Sequence, residues 1–210
     1  MFAMPQEQTN TFDILASESR IRLTAQALEA NGIHTFIAEN GEQAHKLFFE
    51  LVPDGSQIYQ SASVTLDELG ITADIEVSGR FDAIRPKLRS LDRQTQSDQI
   101  RHQGASPDYM VGSVNAVTQD GHVLVASATG SQLGPYVSGA RIVIWVAGVQ
   151  KIVKDLAEGM RRIEEYVLPL ENERLQKKYG MTTSLSKLLI INKERPGRIT
   201  MILVNEHLGF

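Results

Sequence analysis

The sequence contains no cysteine. That single absence excludes disulfides, thiolate zinc sites, cysteine-ligated iron–sulfur clusters and cysteine nucleophiles. Long apolar runs are also missing. The longest, Ile142 to Val149, is interrupted by Gly148 and is far too short to cross a bilayer, so membrane insertion is not expected. The opening MFAMPQEQTNTF has no basic segment followed by an apolar one, which leads to the expectation of a cytoplasmic protein. Neither sign of charge is gathered into one long block: 21 basic against 25 acidic residues give a net charge of −4, and no nucleic-acid partner is expected. The local clusters Arg85-Lys87-Arg89 and Lys151-Lys154 with Arg161-Arg162 read as solvated helix faces. His34, His45, His102, His122 and His207 lack the short-interval spacing of a metal site, so neither a metal nor a cofactor held by this chain is expected. No Gly-x-Ser-x-Gly elbow, Walker loop or Gly-x-Gly-x-x-Gly fingerprint is present.

What is present is alternation of helix-like and strand-like segments. At 210 residues the chain can bury one sizeable core, and it reads as an N-terminal tail over 1–11 followed by a single α/β domain over 12–210. Apolar residues at helical spacing over 12–31, closed by Asn31-Gly32, predict a helix. Ile33 to Ala38 reads as a strand, Asn40 as the cap of a helix reaching Leu51, and Gln57 to Gln60 as a second strand after the turn Pro53-Asp54-Gly55-Ser56. Thr65 followed by Glu68 forms a capping-box pattern for the next helix. Strands that alternate with helices in this way favour a parallel sheet, because each crossover helix covers one face.

Pro86 is expected to break any long helix over 78–93, and a polar helix is read over Leu91 to Gln103. Tyr109 to Val117 and His122 to Ala128, joined by Gln119-Asp120-Gly121, read as two antiparallel strands. Ile142 to Val149, carrying the sole tryptophan Trp145, reads as a buried strand. An amphipathic helix is predicted over Lys151 to Val167, ended by Pro169. Leu188 to Asn192 and Ile199 to Val204 are β-rich segments separated by a turn or hairpin.

Five strings in register across about two thirds of the chain resemble the LUD-domain family, to which lactate-utilisation protein C belongs: SVTLDELG at 63–70, GSVNAVTQDG at 112–121, ATGS at 128–131, VAGVQKIVKDL at 146–156 and GRITMILVNEHLGF at 197–210. The resemblance implies the fold of glucosamine-6-phosphate deaminases, ribose-5-phosphate isomerases and coenzyme A transferases, a parallel-rich mixed sheet flanked by helices with a small antiparallel element. It also implies a link to oxidation of L-lactate to pyruvate, with the iron–sulfur clusters carried by partner proteins. Three segments depart from the family pattern. Gln60-Ser61-Ala62 stands where relatives often carry Gly-Gly, Lys178 to Lys187 lacks a cysteine-bearing insertion, and Gln119-Asp120-Gly121 lacks the usual glutamate.

Three loops and one cation are therefore the candidate ligand site for a carboxylate, a phosphate or a coenzyme A pyrophosphate. Ser63 and Thr65 stand at a helix start, Gly112, Ser113 and Asn115 at a strand end, and Thr129, Gly130, Ser131 and Gln132 in a small-residue loop; Gly148 and Lys151 add a cation at another strand end. Each position has an ordinary alternative as a turn, cap or solvated residue. Asp67, Glu68, Asp120, Asp155, Glu206, His122 and His207 are the titratable candidates, none with a catalytic spacing. The expectation is an accessory component of L-lactate oxidation that binds a small anionic metabolite or a redox partner. The alternative is an isomerase or an acyl- or coenzyme A-transferase acting on a sugar phosphate or coenzyme A ester.

Overall fold

Unbroken apolar strands need both faces covered, and the two longest apolar runs of this chain lie side by side in the middle of a parallel sheet. The computed structural model describes residues 11–210; the expected tail lies outside the described residues except for Thr11, which opens a short turn over Thr11–Asp13. The strands are β1 (Ile33–Ala38), β2 (Gln57–Gln60), β3 (Asp82–Ala83), β4 (Tyr109–Gly112), β5 (Ala116–Thr118), β6 (Val123–Ser127), β7 (Ile142–Gly148), β8 (Ile152–Val153), β9 (Lys187–Ile191) and β10 (Ile199–Val204). The helices are α1 (Glu18–Ala30), α2 (Gly41–Leu51), α3 (Val64–Glu68), α4 (Ile71–Val77), α5 (Ile84–Arg89), α6 (Ser97–Ala105), α7 (Leu156–Arg162) and α8 (Leu168–Tyr179).

Six strands form a parallel sheet in the order β1-β10-β7-β4-β2-β3, and four form a smaller mixed sheet in the order β8-β5-β6-β9. The parallel-rich α/β architecture expected from the sequence is the one observed. Side-chain alternation along β7 splits the core in two. Val143, Trp145 and Ala147 face α1 and the apolar side of the small sheet, in one cluster with Leu28, Val117, Val123 and Met201. Ile144 and Val146 face the other way, against Phe48 of α2 and Leu66, Ile71 and Ile75 of α3 and α4. The small sheet's opposite face, with Ala116 and Leu124, is closed by Leu156 and Met160 of α7 and by Ile163 just after it.

Several expectations need correction. Tyr109 to Val117 is not one strand: it breaks at Gly112, so β4 pairs with β7 in the large sheet while β5 pairs antiparallel with β6 in the small one. The segment from Lys151 to Val167 is not one helix. Val149–Lys151 is a 3₁₀ turn, β8 follows, and α7 begins only after its cap Asp155, whose side chain accepts from Glu158 N. Pro169 does not end that helix, because a wider turn over Ile163–Val167 lets Leu168 N–H reach back to Ile163 O and puts the proline in the first turn of α8, where its missing donor is harmless. Pro86 lies in the first turn of α5, which has only six residues, so no long helix runs over 78–93. β9 and β10 are not a hairpin; they belong to different sheets. The polar helix expected from Leu91 begins only at Ser97.

Candidate functional site

Three neighbouring parallel strands, β7, β4 and β2, end at Gly148, Gly112 and Gln60, and the chain leaving each C-terminal end enters the same space. Open α/β sheets bind ligands at this edge because the loops that leave the strands converge there. The result is a cavity of about 630 Å³ lined by Ser63, Thr65, Ser113, Asn115, Thr129, Ser131, Gln132 and Lys151 among other residues. Segments as far apart in sequence as Ser61 and Phe210 thus meet around one hollow.

Lys151 is its floor. The side chain is 2% exposed, and Nζ donates to Thr65 Oγ1 at 2.9 Å and to Ser113 Oγ at 3.0 Å. No carboxylate lies within ion-pair distance of it among the described residues. Burial, helped by the like charge of Arg162 and opposed by Glu68, holds its ammonium well below the usual range, at about 7. Thr65 Oγ1 donates in turn to Leu208 O at 3.2 Å, so the C-terminal segment straps the lysine in place. Gly209 closes over it at φ +60°; a Cβ there would stand 2.6 Å from Thr65 Oγ1, so only glycine fits.

Thr65 is not the helix cap that the capping-box pattern predicts. Ser63 caps α3, accepting from Leu66 N at 3.3 Å, which frees the Thr65 hydroxyl for Lys151. Glu68 accepts from Gly209 N at 2.7 Å instead of reaching back to the cap. Asn115 spends its side-chain oxygen on Ala126 N at 2.7 Å and its carbonyl on Arg162 Nη1 at 2.5 Å, and its NH₂ has no acceptor among the described residues. Thr129 and Ser131 bond to each other at 3.3 Å at the mouth, and Ser131 bonds to Gln132 Oε1 at 3.3 Å.

Gly112, Gly130 and Gly148 do not line the cavity. Gly112 makes room for Tyr136, whose hydroxyl would be 1.9 Å from an added Cβ, and Gly148 for Gln150 and the backbone of Glu206. Gly130, at φ +84°, serves the turn that lies against Lys187.

Sequence reasoning missed the walls. Arg85, Arg89 and Arg93 line one side and Arg174 and Lys178 the α8 side, so with Lys151 six cations face two carboxylates, Asp67 and Glu171. Arg89 is paired with Glu76 at 3.2 Å and Arg174 with Glu171 at 2.7 Å. Arg85 and Arg93 have neither a hydrogen bond nor an ion pair among the described residues. Burial and then the neighbouring charge of Arg89 lower the Arg85 guanidinium from its ordinary value. Of the titratable candidates named from the sequence, Asp67 alone lines the cavity. Asp155 caps α7, Glu206 accepts from Gly41 N at 3.0 Å, His122 stands 3.9 Å from Asp120, and His207 pairs with Asp13.

The site can hold an anion. Cations without carboxylate partners, hydroxyl and amide donors without acceptors and a buried floor supply charge and hydrogen bonds that would suit an anion. Among the described residues no helix is long and apolar enough to cross a membrane and no cluster of metal-ligand type occurs.

Comparison with known proteins gives the family. No curated protein matches the chain. Among solved structures, a DUF162 family protein from Deinococcus radiodurans is similar in fold, with 13% identity, a TM-score of 0.57 and coverage of 91% of this chain and 100% of that one. eIF2B delta from Chaetomium thermophilum reaches 13% identity and a TM-score of 0.33 over 68% of this chain and 55% of its own. Residues 21–209, which include the floor, the strap and every wall of the cavity, match the family model of the LUD domain, and the chain belongs to that family.

Proposed function

We propose that this LUD-domain protein is an accessory component of L-lactate oxidation that takes a small carboxylate metabolite into the cavity above Lys151. The lactate link comes from the family; the anion site comes from Lys151 itself. A buried ammonium held by two neutral hydroxyls lacks its counter-ion, and a bound carboxylate supplies one. The unpaired Arg85 and Arg93 draw the same charge toward the wall. Electrons would pass through iron–sulfur partner proteins, because this chain has no cysteine with which to hold a cluster.

Calorimetric titration with L-lactate and with pyruvate tests this reading. Removing one charge-assisted hydrogen bond costs about 1.5–3 kcal/mol, so Lys151→Met is expected to weaken binding about 10- to 150-fold. Silence of the native chain toward both acids, with binding to an iron–sulfur partner protein, would move the role from metabolite capture to docking.

The breadth of the cavity and its excess of cations favour one second reading, an isomerase or an acyl- or coenzyme A-transferase acting on a sugar phosphate or coenzyme A ester. A volume of about 630 Å³ exceeds what a three-carbon acid fills. Stabilisation by coenzyme A or ribose 5-phosphate of ~2.7 kcal/mol at a hundredfold excess over Kd, with none by lactate, would select it.

A further inference from the structure

The geometry points to Lys151 as a nucleophilic amine that forms a reversible imine with a carbonyl ligand, a 2-oxo acid or an aldehyde, admitted to the cavity. This rests on the anion-accepting cavity proposed above and adds a covalent step to it.

Lys151 differs in kind from the other lysines. Lys46, Lys87, Lys154, Lys177, Lys178, Lys187 and Lys193 are all exposed to solvent. Lys151 is enclosed, faces the cavity and has no carboxylate to hold its proton. Burial and the nearby Arg162, against the weaker pull of Glu68, leave a substantial share of free amine at neutral pH.

Its two hydroxyl partners are not equivalent. Thr65 Oγ1 accepts from Nζ and donates its own hydrogen bond to Leu208 O, so it only orients the amine. Ser113 Oγ accepts from Nζ, and its proton has no acceptor among the described residues, so it can donate to a carbonyl oxygen beside the amine. Arg85 and Arg93 remain for the carboxylate of a 2-oxo acid.

The step balances within these groups. The Nζ lone pair forms the C–N bond as the carbonyl π pair moves to oxygen, which takes a proton from Ser113 while Ser113 takes one from Nζ. The carbinolamine then loses its hydroxyl with the second Nζ proton. Both protons of the neutral amine leave with the carbonyl oxygen as one water, and no oxidant or reductant takes part.

The test is reductive trapping of the full chain with pyruvate or glyoxylate and cyanoborohydride, read by intact mass and peptide mapping. One saturable adduct on Lys151 is expected, suppressed by L-lactate, lost in Lys151→Met and Lys151→Arg, and formed several-fold more slowly in Ser113→Ala. Thermal melts of the variants confirm that they are folded, and Ser113→Ala keeps the amine if the lysine variants fail. Calorimetric binding of pyruvate without an adduct, or adducts spread over surface lysines equally in the native chain and Lys151→Met, would overturn the imine alone. Absence of both binding and adduct would overturn the anion site with it.

Discussion

Lys151 makes stability depend on pH in a direction that identifies it. Its ammonium sits at about 7 in the folded chain against 10.5 when free. Between those values the unfolded chain holds a proton that the folded chain has released, so the stability of the fold rises with pH at about 1.4 kcal/mol per unit. Below about pH 7 both states are protonated and the burial penalty is felt in full; the gain saturates above the free value. Integrated across the window this is an upper bound of about 5 kcal/mol, and between about pH 7.5 and 9 it is roughly 2 kcal/mol. Lys151→Met keeps much of the volume and removes the titration. It leaves Thr65 and Ser113 without a donor, a loss of about 1 kcal/mol each that does not change with pH. Tyr136 and Tyr166, both pushed up to about 12 by burial, stay protonated in the folded chain throughout this range and are common to both proteins. Urea unfolding followed by Trp145 fluorescence at several pH values should therefore give a rising difference between the native chain and Lys151→Met, worth roughly 4–8 °C in Tm by about pH 9. Parallel profiles would show that the buried lysine keeps an ordinary proton affinity and would remove the physical basis of the anion site.

Four further outcomes are expected. Binding of L-lactate near pH 8 should take up a fraction of a proton, to a limit of about one, because the anion favours the charged lysine; titration in buffers of different ionisation enthalpy reads it directly, and no uptake would mean that Lys151 does not meet the ligand. Arg162→Met, which removes the like charge behind Lys151, should shift the inflection of the stability profile to higher pH, and an unmoved inflection would leave burial as the whole cause. Gly112→Ala should destabilise by about 1–3 kcal/mol, since its Cβ would meet the Tyr136 hydroxyl, and Tyr136→Phe in the same chain should recover part of that loss; urea midpoints decide it. Trp145 has no exposed surface, so iodide should leave its native fluorescence almost unquenched, and efficient quenching would contradict the assignment of β7 to the sheet centre.

The middle of the sheet is legible because parallel strands covered on both faces admit only one composition, and Ile142 to Gly148 and Ile199 to Val204 have it. The passage from one sheet to the other at Gly112 is not. β4 and β5 are equally apolar, so no local pattern marks the break between them, and Tyr136, which fills the space beside Gly112, lies 24 residues later in the chain (136 − 112). The region after Lys151 misleads for a related reason: β8 has only two residues, too few to show a period of two, and its Ile152 falls into helical step with Leu156 and Met160. Arg85 resembles any solvated helix arginine until α8 arrives from the other end of the sequence to make the opposite wall.

The candidate site follows from strand order more than from any motif. Gln60, Gly112 and Gly148 are the last residues of strands that the topology makes neighbours, so Ser63, Thr65, Ser113 and Lys151 must emerge at one edge whatever their separation in sequence. Local patterns located those turns without revealing that they meet, and they could not distinguish a helix cap from the hydroxyl that holds a lysine. Thr65, Ser113 and Lys151 are fixed by the sheet beneath them and by the strap of Leu208 and Gly209, whereas Thr129, Ser131 and Gln132 bond largely to one another at the mouth. The floor of the cavity is therefore tied to the sheet, and under the proposed function discrimination among ligands by size would fall to the mouth and the arginine wall.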